Sequence, residues 1–193
     1  MENIEVSGKK FDSLSKVHRV LGIPAPLHPL VSLIKTHGAA KPATILTGGV
    51  NFYIVSYGTE IHHEYGSDDN TICTSSRLLF RTPNQTFAIP ACHFANMGMT
   101  LIFHPLLLSG FQLAHKIKKF DFFSHEAKAG FPVTQLESDI ILTIFELLNQ
   151  ELHGRIDDFS QDVIVSQIEL LLNYCDLFYR RKQSRYIPFA EVK

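Results

Sequence analysis

The chain reads as an α+β protein in which an antiparallel β-sandwich or small β-barrel comes first and a pair of long helices follows. Three observations predict this. Short β-favouring segments divided by turn residues occupy the chain as far as Phe103. Beyond His104, apolar residues recur at helical spacing. No Gly-, Ser- or Pro-rich linker parts the two halves, so they are expected to form one unit around one core, which 193 residues with 45% hydrophobic side chains can supply.

The elements follow in order. Asp12 and Ser13 can cap a short helix whose apolar positions Leu14, Val17 and Leu21 repeat at helical spacing, and Gly22 is placed to end it. Pro24, Pro26 and Pro29 remove backbone donors and hold the next stretch extended, which leads into a strand at 30–34. Further strands are expected at 44–47, 51–57, 76–81, 86–89 and 99–103. Gly48-Gly49, residues 66–70, Pro83-Asn84 and residues 96–98 supply turns between them, and 66–70 is the most loop-like part.

After His104 the spacing predicts a brief turn at 105–108 and a helical piece at 111–119. The first long helix opens with Thr134-Gln135-Leu136-Glu137, a capping-box pattern in which hydroxyl and carboxylate each satisfy a backbone N–H. Its apolar rows are Ile140, Ile144 and Leu147 beside Ile141, Phe145, Leu148 and Leu152, and Gly154 is a plausible stop. The second begins near Ser160 and runs to Arg180-Arg181-Lys182, with Asp162 in its first turn and positive charge at its end, as the helix dipole favours.

That last helix carries more apolar surface than one contact needs. Ile164, Ile168, Leu171, Cys175 and Phe178 make one stripe, and Val163, Leu170, Tyr174 and Leu177 make another. Two readings fit: both rows face one intramolecular core, or one row meets a partner subunit. On the second reading the interface is assigned to Ile164, Ile168, Leu171, Cys175 and Phe178.

Composition narrows the function classes. A net charge of −1 and a pI of about 6.8 supply no overall field for nucleic acid or an anionic membrane, so any DNA contact needs another segment. Cys73, Cys92 and Cys175 are odd in number, widely spaced and without a CxxC pair, which fits a reducing cytoplasm rather than a disulfide framework or structural zinc. The N-terminus is acidic and polar where a secretory signal is basic and then apolar. The longest apolar runs stop well short of the roughly 20 residues of a membrane span, so a soluble intracellular protein is expected.

Few residues are candidates to carry chemistry. His62-His63-Glu64 holds ligand types for zinc, iron or manganese, but adjacent strand residues point to opposite faces, so no metal is expected there. His104 before Pro105, and His93 beside Cys92, read as structural histidines at strand ends or in loops. No GxSxG, P-loop or GxGxxG is present, and no catalytic residue or cofactor is assigned. Arg180, Arg181, Lys182 and Arg185 read as a dipole-matched helix end, and the tail after them is too short for a recognition helix. Among fifteen phenylalanines, Phe80 and Phe103, with Phe52 or Tyr53, are candidates to line an enclosed ligand pocket.

Several strings resemble, in order, the sensing halves of AraC-type transcription regulators from Bacteroides-like bacteria. They are Leu14-Ser15-Lys16-Val17-His18-Arg19-Val20-Leu21-Gly22-Ile23-Pro24 with Leu27-His28-Pro29-Leu30-Val31-Ser32, then residues 51–57, 77–85, 101–107 and 116–124. The most specific is Phe159-Ser160-Gln161-Asp162-Val163-Ile164-Val165-Ser166-Gln167-Ile168-Glu169-Leu170-Leu171-Leu172-Asn173-Tyr174-Cys175, which looks like the last helix before the DNA-binding domain of that group.

The resemblance implies a cupin-like, jelly-roll β-barrel that binds a small-molecule effector over residues 1–125, and a helical dimerisation segment over 126–183. Residues 184–193 would be a tail leading to two helix-turn-helix motifs that these residues do not contain. A homodimer is the implied partner, with DNA met only through that further domain. The chain departs from the metal-binding cupin pattern at His62-His63, where the histidines are not separated, and at Ala88, where a relative could carry a histidine. Two rivals stand beside this reading. One is a metal-dependent cupin enzyme using His62, Glu64, His93 or His104, and the other a ligand-independent dimerisation module whose barrel is filled by its own phenylalanines.

Overall fold

The computed structural model describes residues 4–7, 11–37, 44–65, 70–89, 97–123, 130–154 and 157–185. Strands β1 (Ile4–Ser7), β3 (Thr44–Val50) and β6 (Gln85–Ile89) form one sheet in the order β1-β3-β6, with β1 parallel and β6 antiparallel to β3. Strands β2 (Val31–His37), β4 (Tyr53–Tyr65), β5 (Asn70–Arg81), β7 (Met97–Phe103) and β8 (Phe131–Val133) form a second, wholly antiparallel sheet in the order β2-β7-β4-β5-β8. Among the described residues neither sheet closes on itself. The architecture is therefore α+β, a five-stranded antiparallel sheet with C-terminal helices; the sequence left a sandwich or a small barrel open, and the jelly-roll barrel was implied by the resemblance.

Alternation along the strands separates two apolar layers. Val31, Val55, Tyr57, Leu78, Phe80, Leu101 and Phe103 face one way and are buried under the C-terminal helices. Phe52, Ile54 and Ile102 belong to a second cluster with Phe11, Leu14 and Val17. The same β4–β7 pairing that sets Val55 opposite Leu101 sets Ile54 opposite Ile102, so one register serves both layers. On the face of Ile54 and Ile102, Ser56 and Thr100 are opposed, buried, and hydrogen-bonded to each other at 3.0 Å, which satisfies two hydroxyls that would otherwise be costly to bury.

Helix α1 (Leu14–Leu21) buries Leu14 and Val17, as anticipated from spacing, while His18 takes the third buried position and Leu21 is only half-buried. Gly22 ends it in the left-handed conformation at φ 65°, its N–H turned back to the Arg19 and His18 carbonyls. Ser13 occupies the N-cap position without a side-chain cap bond. A 3₁₀ turn at Pro105–Leu108, helix α2 (Leu113–Lys116) and 3₁₀ turns at Ile117–Lys119 and Asp121–Phe123 cover the expected helical piece.

Helices α3 (Gln135–His153) and α4 (Asp158–Arg185) pack on each other and on the five-stranded sheet. The capping box at Thr134 is complete: the Thr134 hydroxyl accepts from Glu137 N, and Glu137 accepts from Thr134 N at 2.8 Å. The α4 start is held by a similar exchange, in which Ser160 N donates to Asp157 Oδ1 and Asp157 N donates to Ser160 Oγ, each at 3.0 Å.

Two details differ from expectation for physical reasons. Gly48-Gly49 lies within β3, at a register irregularity between Leu46 and Val50, because a bulge and a turn ask for the same permissive backbone. Within the segment assigned wholly to helices from residue 126, Phe131–Val133 form β8, which pairs with β5 and belongs to the sheet. Gly130, just before β8, has φ 66°, and a Cβ there would lie 2.1 Å from the Leu78 carbonyl oxygen, so only glycine lets this backbone approach β5. Of the expected loop 66–70, residues 66–69 lie outside the described residues and Asn70 opens β5.

Candidate functional site

The four aromatic pocket candidates do not converge. Phe52 sits in the α1 cluster with its ring edge-on to His104, while Tyr53, Phe80 and Phe103 face the helices. Tyr53 stacks on Phe103, and Phe80 is packed against Phe122, Phe123 and Phe131, with the nearest centroid 4.3 Å away. Alternation explains the split, since Phe52 and Tyr53 are neighbours on one chain and must face opposite sides. Burial pushes the Tyr53 hydroxyl upward from its ordinary pKa, in keeping with a ring that packs rather than titrates. Phe52, Phe80 and Phe103 are core, and Tyr53 is half-buried against it.

A groove of 320 Å³ opens elsewhere, at the outer edge of β2. Residues 31–35 of β2 line it, together with His18, residues 23–27 of the proline-rich connection, and Asn149, Leu152 and His153 at the end of α3. Its shape is held by a buried relay. His18 Nδ1 contacts the Pro24 carbonyl, and His18 Nε2 lies 2.8 Å from the Ser32 hydroxyl. The helix α1, the connection after it and the strand are thereby tied at one imidazole, with both ring nitrogens partnered. On the α3 side Lys35 pairs with Glu146 at 2.8 Å across the half-exposed rim. Hydrogen bonding to Lys35 holds the exposed Glu146 carboxyl below its ordinary pKa against a smaller opposing effect of desolvation.

The other histidines are placed one by one. His104 caps the 3₁₀ turn after β7, its Nδ1 accepting from Leu106 N at 3.1 Å, with Nε2 3.0 Å from the Asn51 carboxamide nitrogen. His28 Nδ1 accepts from Leu30 N at 3.1 Å. Burial lowers the pKa of both rings. His62 and His63 stand at adjacent positions of β4, opposite Cys73 and Ile72, with Glu64 following. Ala88 is in β6 opposite Ile45, and Cys92 and His93 lie outside the described residues. Among the described residues no three His, Cys, Asp or Glu side chains come together as metal ligands.

The interface assignment on α4 needs correction. Ile164, Ile168, Leu171, Cys175 and Phe178 are at most 2% exposed, packed within one chain, and have no free surface with which to meet a second. Burial raises the Cys175 thiol far above its ordinary pKa, as for an inert core cysteine. The row left outside is the other one: Val163, Leu170 and Leu177 are each 41–43% exposed. They recur every seven residues, and half-buried Gln167 and Tyr174 lie between them, Tyr174 packed against the core.

The basic end of α4 is partly occupied within the chain. Arg180 pairs with Asp176 at 2.9 Å, and Lys182 with Glu137 at 3.3 Å while lying 5.4 Å over the Phe131 ring. Burial pushes the Glu137 carboxyl up, but its bonds from Thr134 and the nearby Lys182 ammonium outweigh this and hold it below its ordinary pKa. Among the described residues no helix is long and apolar enough to cross a membrane.

Sequence reasoning missed the groove because its walls come from segments more than a hundred residues apart. Its only local signal was the run of prolines that holds residues 23–29 extended. No protein-family model matches this chain, and no curated protein matches it.

Proposed function

We propose that this chain is the sensing and dimerising part of an AraC-type transcription regulator. On this reading it is cytoplasmic and not an enzyme, and its β unit is a cupin-like module that binds a small-molecule effector. The α4 helix pairs two subunits, and DNA is met by a helix-turn-helix segment not contained in these residues. The observation that carries the proposal is the exposed seven-residue repeat of Val163, Leu170 and Leu177 on a helix whose opposite face is already committed to the core. A row of this spacing over two heptads suits a second copy of the same helix. Exposed Asp162 near the start of α4 and exposed Arg181 near its end favour antiparallel pairing, which sets one against the other. The ordered resemblance of the sequence to that regulator group supports the rest.

The test is the solution mass across a dilution series for the native chain and for Leu170→Glu/Leu177→Glu. A native dimer converted to a folded monomer by the two glutamates supports the proposal, and a native monomer at every concentration overturns the dimerising half of it. Metabolites that raise the melting temperature in proportion to log concentration would support the sensing half. A second reading, the ligand-independent dimerisation module, draws on the packing of Phe80 and Phe103 against other aromatic rings. It predicts the same dimer and no thermal shift with any effector.

A further inference from the structure

The groove between the proline-rich connection, β2 and the end of α3 has the size and lining of a small-molecule site. Its 320 Å³ lies at the lower end of the range that small ligands occupy, about 300–1,000 Å³. Most of the lining is apolar: Ile23, Pro24, Pro26 and Leu27 from the connection, Leu33 from β2 and Leu152 from α3. Leu27 is 58% exposed, and Ile23, Pro26 and Leu33 are half-buried, so this chain leaves much of that apolar surface uncovered.

The polar groups of the lining are engaged with one another, with two exceptions. His18 and Ser32 bond to each other, and His18 also contacts the Pro24 carbonyl. Lys35 is neutralised by Glu146, so the groove offers an anion no free charge. His153 Nδ1 lies 2.7 Å from the Asn149 carbonyl oxygen, and the Asn149 carboxamide nitrogen donates to Glu146 Oε1 at 3.3 Å. Asn149 Oδ1 and His153 Nε2 are left without a partner among the described residues. A carbonyl oxygen only accepts, so in the neutral His153 ring the proton sits on Nδ1 and Nε2 is an acceptor. The two acceptors stand one turn apart on the same side of α3.

We infer that this groove is the effector site of the chain, and that it takes a neutral, largely apolar molecule carrying one hydroxyl, of the alkylphenol class. The body lies against Ile23, Pro26, Leu27 and Leu152, and the hydroxyl donates to Asn149 Oδ1 or His153 Nε2. A carboxylate or phosphate brings further acceptors to a place that already has two, and an ether brings no donor. The inference rests on the sensing reading above and sets the effector outside the β unit's interior, where Phe80 and Phe103 pack against other rings. It also gives the effector a route to the helices. Asn149, Leu152 and His153 form the last turn of α3, and the chain passes from there into α4, so a molecule held between them and the connection ties the helix pair to the β unit.

The test is an amide NMR titration of the native chain with 4-propylphenol, beside 4-propylanisole, in which a methyl replaces the hydroxyl hydrogen, and 4-propylbenzoate. The expected result is shifts centred on Ile23, Ala25, Leu27, Leu33 and residues 149–153, with the phenol bound at least about fivefold more tightly than either analogue. Asn149→Leu/His153→Leu removes both acceptors and is expected to bring phenol and ether to equal affinity. Ala25 is exposed, so Ala25→Trp adds bulk to the groove without entering the core, and is expected to abolish the shifts.

No binding at millimolar phenol, shifts centred elsewhere, or an ether bound as tightly as the phenol each overturn the inference. If either variant does not fold, the phenol and ether decide the matter on the native chain. Failure here is distinguishable from failure of the reading it rests on. A metabolite that raises the melting temperature while its shifts fall outside the groove keeps the chain a sensor and overturns this site. A chain that binds the phenol here yet stays monomeric at every concentration supports this site and overturns the dimerising half of the regulator reading.

Discussion

His18 Nε2 and the Ser32 hydroxyl meet at 2.8 Å, and this one contact joins helix α1 to the edge strand β2. Both residues are at most 6% exposed, so the contact is largely sheltered from water. Ser32→Ala leaves a buried ring nitrogen unsatisfied and is expected to cost about 1–3 kcal/mol. Urea midpoints of the native and variant chains measure this, and an unchanged midpoint would mean the ring finds another partner.

Stability should fall on acidification because of His28 and His104. Burial lowers both pKa values from 6.5, and each ring accepts a backbone N–H at Nδ1, which protonation forbids. The unfolded chain therefore binds protons that the folded chain refuses. The contribution of these rings is fully present above about pH 6.5 and is lost as pH falls through the lowered folded values. Urea midpoints at a series of pH values below 7 check the sign. His28→Asn/His104→Asn, which keeps an acceptor but no proton equilibrium, should flatten the slope.

The two rows of α4 should separate cleanly under substitution. Leu171 is fully buried, and Leu171→Ala is expected to cost about 2–5 kcal/mol of folding stability. Leu170 is 43% exposed, and Leu170→Ala should cost no more than about 1 kcal/mol in a dilute, monomeric sample. Similar losses at both positions would show that the outer row is core after all.

Gly130→Ala is expected to loosen β8 from the sheet. The left-handed φ strains any side chain, and the added Cβ collides with the Leu78 carbonyl, backbone that cannot swing aside as the neighbouring Leu79 side chain could. A loss of about 2–4 kcal/mol, with faster amide exchange at Leu78 and Val133 than at Val55, is the expected pattern. A variant as stable as the native chain would show that β8 can shift without cost.

How legible each feature was depended on how far apart its parts lie. The capping box at Thr134 and Glu137 and the Gly22 stop were readable because all their atoms come from one turn of chain. The strands at β4 and β5 were recognised at their apolar ends, but Tyr53–Tyr65 and Asn70–Arg81 run longer than their apolar spans, since the polar residues that extend them are kept in register by pairing. β1 and β8, of four and three residues, carry no usable period and exist through their partners β3 and β5.

The sequence by itself determined the order of a β half before a helical half, the apolar alternation of the strands, the ends of α1 and α3, and the surplus apolar surface of α4. These are properties of neighbouring residues, set by backbone geometry and side-chain period. Only the tertiary structure decided that Phe52 and Phe80 belong to different layers and that the row of Ile164 and Leu171, not that of Val163 and Leu170, is core. It also decided that the prolines after Gly22 wall an open strand edge. Both α4 rows are apolar enough to be buried, and which one is depends on how the helix is turned toward a sheet assembled from residues 31–133. No local pattern records that rotation.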